Sequence, residues 1–357
     1  MLLFSVPADF EQSTLEQIEK INKQYSDRRV AEVYGQITAG SITASGRMLD
    51  QLPQISMEQL KEYIRQCKHY GIQFNYTLNA SCMGNDELKD IFVGQLRDFL
   101  LSLDKAGVES YTVALPYLID LIKKLLPDRS IKASAICEIN SLGKALHYRH
   151  LQVERIVIDP DITRRFDILR NICDVFGENV EIIINNACLK GCPYKIFHYN
   201  HEAHCGSRDT VQCDRQYYYH KCSLQKAQDC SNYIKLNWIR PEDLHFYTKE
   251  GIRYFKIHGR NSISSDGLIK VIQAYFSEQF DGNLMDLLTL FHPYNAFQPT
   301  IDNCKLQGFL ERFYQYPNAC NDRCKTCGHC AEYASKSMNL EQAQELSFYA
   351  RQLYRNL

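Results

Sequence analysis

Four cysteines near the end of the chain, Cys320, Cys324, Cys327 and Cys330, stand in the spacing C-x3-C-x2-C-x2-C within NACNDRCKTCGHC. Thiolates crowded in this way repel one another and oxidise unless a metal holds them. Closely spaced cysteines on one turning loop reach several corners of an iron–sulfur cube. Zinc is the competing occupant. Structural zinc sites use two separated C-x2-C knuckles, whereas here the two x2 spacings share Cys327. The spacing points to a 4Fe–4S cluster, with zinc as the alternative.

A second set opens in NACLKGCPYKIFHYNHEAHC, where Cys188 and Cys192 are three residues apart and Cys205, Cys213, Cys222 and Cys230 follow. Four thiolates from this set suit another 4Fe–4S cluster. Cys188, Cys192 and Cys222 are the first choices, and the fourth ligand is Cys205, Cys213 or Cys230. His198, His201 and His204 recur at every third position. The HEAH within them is not H-E-x-x-H, whose histidines lie four apart on one helix face. His198 stands as a candidate acid–base group.

Lys256, His258 and Arg260 alternate in RYFKIHGR, so on a strand they share one face. A cationic trio of this kind binds a carboxylate or another anion. The plainer reading is an internal salt-bridge layer with Asp159 or Asp161. Asp9, Asn79, Tyr117, Asn140, Arg164 and Asn185 are further polar residues at or near predicted strand ends. Asp159 and Asn185 join the trio and His198 as candidate catalytic residues. Neither a G-x-S-x-G nucleophile turn nor a P-loop occurs.

The elements that must position these groups alternate. Strand patterns occur at LLFSVPA, VAEVYGQI, IQFNYTLNA, SYTVALP, SIKASAI, RIVIDPD, EIIINNA and RYFKIHGR. Between them lie amphipathic helical patterns such as MEQLKEYIRQCKHYG and FDILRNICDVFG, with apolar residues three and four apart. Eight strands, each followed by a helix or crossover, predict an α/β fold of the (β/α)8 barrel type. The alternative, an open doubly wound sheet, normally carries a Gly-rich turn after its first strand, and SVPADFEQ has none. The barrel is expected over residues 1–262, with a long, irregular, cysteine-rich loop at 188–230 after strand seven. A helical extension over 263–357 then carries the C-terminal cysteines.

Composition bounds the rest. The chain has 357 residues, a formal net charge of −1 and 15 cysteines. A near-neutral balance does not favour nucleic acid or an anionic membrane as main partner. No apolar run is long enough for a membrane span. The N-terminal MLLFSVPADF lacks the basic start of a signal peptide. Many cysteines without a secretion signal indicate a reducing, cytoplasmic setting. Cys67 and Cys173 fall on helical patterns and are expected in the core.

Three stretches together resemble the collagenase-like peptidase family U thirty-two. YIKLNWIRPEDLHFYTKEGIRYFKIHGR is similar to the family signature, which ends in G-x-x-x-F-K-I-x-G-R. The cysteine loop after strand seven lies where the family keeps its cysteines. KEYIRQCKHYGIQFNYTLNA and FLLSLDKAGVESYTVALPY follow the pattern of its N-terminal half. The resemblance covers roughly residues 1–262 and implies a (β/α)8-type barrel. It implies a peptidase by name, yet relatives in anaerobic ubiquinone biosynthesis are hydroxylases that bind 4Fe–4S clusters through four cysteines. Others act in hydroxylation of transfer or ribosomal RNA. This chain departs from the common pattern at Cys188-x3-Cys192, and at His258, where Glu is frequent. The Cys320–Cys330 run resembles a cluster-bearing tail found on a subset of these proteins.

The resulting expectation is an iron–sulfur enzyme with two clusters that modifies a small molecule, peptide or RNA without dioxygen. An electron donor would be its partner. The rivals are a metal-dependent peptidase and a non-enzymatic electron-transfer or scaffold protein.

Overall fold

In a computed structural model the eight strand patterns form a closed parallel barrel in sequence order. Residues 1–205, 216–260, 264–289, 298–316, 319–320 and 322–354 are described. The strands are β1 (Leu2–Pro7), β2 (Arg28–Gly35), β3 (Gln73–Leu78), β4 (Ser110–Val113), β5 (Ser130–Ala133), β6 (Arg155–Val157), β7 (Val180–Ile183) and β8 (Tyr254–Lys256). Closure is set where β8 pairs with both neighbours, Ser5 and Ile183 each standing opposite Lys256. Six helices follow the first six strands: α1 (Gln12–Gln24), α2 (Met57–His69), α3 (Asp90–Lys105), α4 (Pro116–Leu125), α5 (Leu142–His150) and α6 (Phe166–Phe176). Their apolar faces bury residues such as Leu15, Leu60, Leu100, Ile119 and Leu169 against the strands. Cys67 and Cys173 lie in this core as their helical patterns predict.

The segment after β7 differs from expectation. It is not an irregular loop: α7 (Lys195–Cys205), α8 (Tyr217–Gln228) and the short α9 (Ser231–Ile234) fill much of it. Their sequences hide this because aromatic rings and histidines replace aliphatic residues on the buried faces. Tyr218 meets Tyr194 at 6.2 Å between ring centroids and His198 at 5.5 Å. Cys213 lies outside the described residues.

α10 (Leu244–Lys249) leads into β8, and α11 (Ser265–Ser277), α12 (Leu284–Thr289), α13 (Glu311–Gln315), α14 (Cys324–Cys327), α15 (His329–Ser337) and α16 (Leu340–Leu353) complete the chain. CKLQGFLERFYQ is not one helix, because Gly308 takes the left-handed φ of 83° and separates a 3-10 turn from α13. Phe309 packs on Trp238 at 5.2 Å, so the apolar core continues from the barrel into the C-terminal helices.

The barrel interior is unusual in carrying charge. Lys132 of β5 bonds Glu32 of β2 at 2.5 Å and Glu181 of β7 at 2.7 Å. Arg155 of β6 stands 3.7 Å from Glu32 and 3.4 Å from Glu181. Ser5 donates to Glu32 at 2.6 Å. Beside them, Thr112 donates to Asn75, which donates to Ser110. This is an internal ion layer, but its carboxylates are Glu32 and Glu181. Asp159 and Asp161, the expected partners, are held instead by Lys195.

Burial works to raise the Glu32 carboxyl, but Lys132, Arg155 and Lys256 outweigh it and hold it at about 2. A carboxyl depressed in the fold stabilises it above the ordinary value of 4.5, and that contribution disappears as pH falls towards 2. Lys132→Met should cost about 3–5 kcal/mol in chemical denaturation, because it strands two buried carboxylates. A loss below about 1 kcal/mol, the size of an exposed pair, would refute that role.

Candidate functional site

Every parallel strand of the barrel delivers its C-terminal end to one mouth, where barrel enzymes assemble their sites. A cavity of about 170 Å³ opens there, and Lys256, His258 and Arg260 all line it with Tyr34 and Arg47. β8 itself stops at Lys256, so the three share a cavity rather than one regular strand face.

Asn185 fixes His258. Its side-chain oxygen accepts from the His258 backbone N–H at 2.8 Å, and its amide donates to the His258 carbonyl at 3.0 Å. His258 Nε2 lies 3.1 Å from the Asn185 backbone carbonyl. A carbonyl only accepts, so Nε2 carries the proton and Nδ1 keeps a lone pair. Burial, reinforced by Arg47, lowers His258 to about 3. His258 is therefore neutral, and the expected cationic trio is two cations and an imidazole. Asn185 serves as a clamp on His258, and it is Asn186 that lines the cavity.

Arg260 is buried among neutral acceptors. It donates to Thr77 at 2.6 Å, Gln36 at 3.0 Å, Ser45 at 3.2 Å and Asn79 at 3.3 Å. No carboxylate among the described residues lies at ion-pair distance from it. Arg47 reaches the same cavity from the long β2–α2 loop because Gly46 precedes it. A Cβ on Gly46 would fall 2.8 Å from Ile136 and 2.9 Å from the Asn79 amide. Lys256 Nζ stands 3.5 Å from the Tyr34 ring centroid and 3.9 Å from Glu181. Burial and the neighbouring Lys132 lower it to about 7.

α7 supplies the opposite wall. His198 Nε2 is 3.2 Å from Glu202 one helical turn on, and Tyr219 donates to the same carboxylate at 2.7 Å. Burial works to raise Glu202, but His198 and Arg47 outweigh it and hold it at about 2. Lys195 binds Asp159 at 2.6 Å and Asp161 at 3.1 Å, which places Asp159 behind the wall.

Cys188, Cys192 and Cys222 also line the cavity. Burial and the nearby Cys222 push the Cys188 thiol up to about 11, while Lys226 and Arg47 pull the other way. Cys205 is buried on α7 at 3.5 Å from His201 Nε2 and does not line the cavity. Tyr233 feels both Cys222 and Cys230, so these two belong to one neighbourhood. Among the described residues no three His, Cys, Asp or Glu side chains stand at metal-ligating separation. The donor chemistry nonetheless fits a soft metal group: three thiols on one wall with cations facing them.

Arg47, Glu202, Lys195 and Lys226 escaped sequence reasoning. Only Glu202 carried a signal, its i, i+4 spacing from His198, which the failed HEAH comparison obscured.

The profile of Peptidase family U32 matches residues 16–322. An uncharacterized protease of Methanocaldococcus jannaschii, MJ1657, is 33% identical over 347 residues, 96% of this chain and 100% of its own. The chain belongs to peptidase family U32. The solved U32 peptidase Mk0906 is similar in fold, with a TM-score of 0.53 at 15% identity over 73% of this chain and 94% of that one. The U32 chain described here has no helix among its described residues long and apolar enough to cross a membrane.

A lysine lowered to about 7 makes the folded state bind fewer protons than the unfolded state from pH 7 up to its ordinary 10.5. Wild-type stability relative to Lys256→Met should therefore be level below about pH 7 and rise with pH above it. Parallel stability–pH curves for the two proteins would show that Lys256 is not perturbed.

Proposed function

We propose that this U32 protein is an oxygen-independent iron–sulfur enzyme, performing a redox modification of the hydroxylation type on a substrate with an anionic group. One observation carries the reading: Cys188, Cys192 and Cys222 line the same cavity as Lys256, His258 and Arg260. A scaffold or simple electron carrier has no use for a cavity with oriented proton-transfer groups beside its thiols.

Cys188, Cys192 and Cys222 would hold a 4Fe–4S cluster, with a fourth thiolate from the segment Cys205–Cys230. When bound, that group supplies one-electron chemistry with an outside donor. The protein side chains bind and orient. Arg260 and Arg47 hold the anionic group of a small molecule, peptide or RNA. His258 Nδ1 accepts a hydrogen bond from the substrate without carrying charge. Lys256, poised near neutrality, takes or returns a proton at Nζ. Lys226 and Arg47 offset the negative charge of a thiolate-bound cluster.

A hydrolytic reading follows from the family's name and from MJ1657's description as a protease. Its one structural support is the His198–Glu202 pair, a carboxylate-oriented imidazole at the cavity wall. In that reading His and Cys side chains of the 188–222 segment would bind a hydrolytic zinc; the missing H-E-x-x-H and the number of cysteines are why we place it second.

Protein purified without air should contain iron and acid-labile sulfide. Cys188→Ser/Cys192→Ser should lose about four irons per chain with unchanged circular dichroism. Single substitutions of Cys205, Cys213 and Cys230 then identify the fourth ligand by the same loss. Iron-free protein carrying only zinc, and cleaving peptides in air, would favour the hydrolytic reading.

A further inference from the structure

Lys132 and Lys256 both enter the barrel interior, and their surroundings differ. Lys132 lies 2.5 Å from Glu32 and 2.7 Å from Glu181. Arg155 stands against the same two carboxylates, so two negative charges already face two positive ones. Lys256 is left over. Its Nζ comes no nearer to Glu181 than 3.9 Å, and no acceptor among the described residues lies within hydrogen-bond distance of it. Charged, it is a third cation against two carboxylates, in a buried setting where an uncompensated charge is costly. Glu181, Glu32 and the face of the Tyr34 ring favour its proton. Burial, Lys132 and Arg260 oppose it and prevail. An amine that is desolvated, close to another cation and free of its proton near neutral pH is a nucleophile towards a carbonyl carbon.

Lys256 is placed to use that property. It ends β8 at the mouth where barrel enzymes act, and it lines the cavity together with Arg260. The Tyr34 ring beneath its Nζ is itself fixed, because the Tyr34 hydroxyl donates to the Ile257 carbonyl at 2.8 Å. Arg260 donates to Thr77, Gln36, Ser45 and Asn79, with no carboxylate at ion-pair distance among the described residues. A guanidinium surrounded by neutral acceptors is suited to a carboxylate from outside. Ile136, Val157 and Ile183 give the same cavity apolar wall. A space of about 170 Å³ is smaller than the sites that enclose drug-sized ligands and suits a molecule of few carbons. An amine nucleophile, a carboxylate-binding cation and a short apolar surface are the parts that a small oxo acid requires.

We infer that Lys256 is a nucleophilic amine that forms an imine with a small oxo acid, whose carboxylate Arg260 holds. Nζ attacks the carbonyl carbon with its lone pair, and a C–N bond forms as the carbonyl π bond breaks. A proton passes from nitrogen to that oxygen by way of solvent. Water then leaves, and the C=N bond is complete. No electrons are gained or lost, so the step needs neither oxidant nor reductant. The protonated imine draws electrons from the carbons beside it and activates them for proton loss or bond cleavage. This role goes beyond the proton transfer given to Lys256 above and does not depend on a cluster being bound.

The test is reductive trapping. Full-length protein purified without air is mixed with pyruvate and sodium cyanoborohydride near neutral pH, then digested and mapped by mass spectrometry. Lys256 should gain a mass equal to pyruvate less one oxygen atom. Exposed lysines should gain far less, because an ordinary lysine is charged at that pH. Acetone, which offers the carbonyl without the carboxylate, should label Lys256 poorly at the same concentration. Arg260→Gln should raise the pyruvate concentration for half-maximal labelling about tenfold, the loss of one charge-assisted hydrogen bond, and keep the label on Lys256 at saturation. Exposed lysines modified with Lys256 unlabelled overturns the inference, and acetone labelling Lys256 as well as pyruvate does overturns the oxo-acid class. If Arg260→Gln fails to fold, the wild type decides. Labelling of Lys256 that saturates with pyruvate and is displaced by propionate sustains the site, and labelling that rises in proportion to pyruvate ends it. Iron counted on the same samples keeps the two proposals apart: label without iron sustains the imine site and removes the cluster, whereas iron without label does the reverse.

Discussion

The interior of this barrel is organised by a buried ion layer whose charges are closed among themselves. Lys132 and Arg155 pair with Glu32 and Glu181, leaving only Glu181 Oε1 of these carboxylates without a hydrogen-bond partner. That closure leaves little negative charge for the cations above. Lys256 reaches Glu181 only at 3.9 Å, and among the described residues Arg260 meets neutral oxygens alone. Most barrels fill this space with branched aliphatic side chains, which place no electrical demand on the mouth. Here the floor is largely neutral by pairing, Lys256 stands at its margin, and Arg260 at the mouth has no carboxylate at ion-pair distance among the described residues.

The mouth is held in place by backbone-directed bonds. Asn185 grips the strand-eight exit at His258 with two side-chain bonds to its backbone. The clamp ties the end of β7 to the end of β8, the two strands between which the cysteine-bearing helices are inserted. α7 and α8 then lean on each other through Tyr194, His198, Tyr218 and Tyr219. Rings of this kind supply buried area together with polar edges, so the insertion packs without an aliphatic core and still presents His198 to the cavity, with Glu202 buried behind it.

All eight strands were legible because each is a short apolar run bounded by turn residues, and the helices between them have one continuous apolar face. Cys188, Cys192 and Cys222 were singled out by type and spacing, and all three line the cavity. The ion layer was hidden in plain view: Glu32 in VAEVYG, Lys132 in SIKAS and Glu181 in VEIII are lone charges inside apolar strands. Such a residue must point inward and be paired, but the sequence does not say with whom, since register across the barrel decides it. α7 and α8 read as loop because aromatic and histidine faces lack the aliphatic period. Arg47 was illegible for a different reason: it comes from a loop whose path depends on the absence of a side chain at Gly46.

Charge also bears on the proposal that cysteines at the barrel mouth hold a metal group. Free thiols at these positions are neutral: burial pushes Cys188 up and raises Cys192 and Cys330 as well. Arg47 already faces Glu202, and Lys235 is paired with Asp229 at 3.3 Å, so the cations that neutral thiols leave unexplained are Lys226 near Cys188 and Arg164 near Cys330. Both are buried, and a buried cation is costly unless a negative group faces it. The cost is offset if the sulfurs are ionised, and a bound metal ionises them by taking the proton's place. Zinc and iron both meet that condition, so the cations argue for thiolates without choosing the metal. The choice falls to spacing, and two overlapping x2 intervals on one turn suit the corners of a cube better than the two knuckles of a zinc tetrahedron.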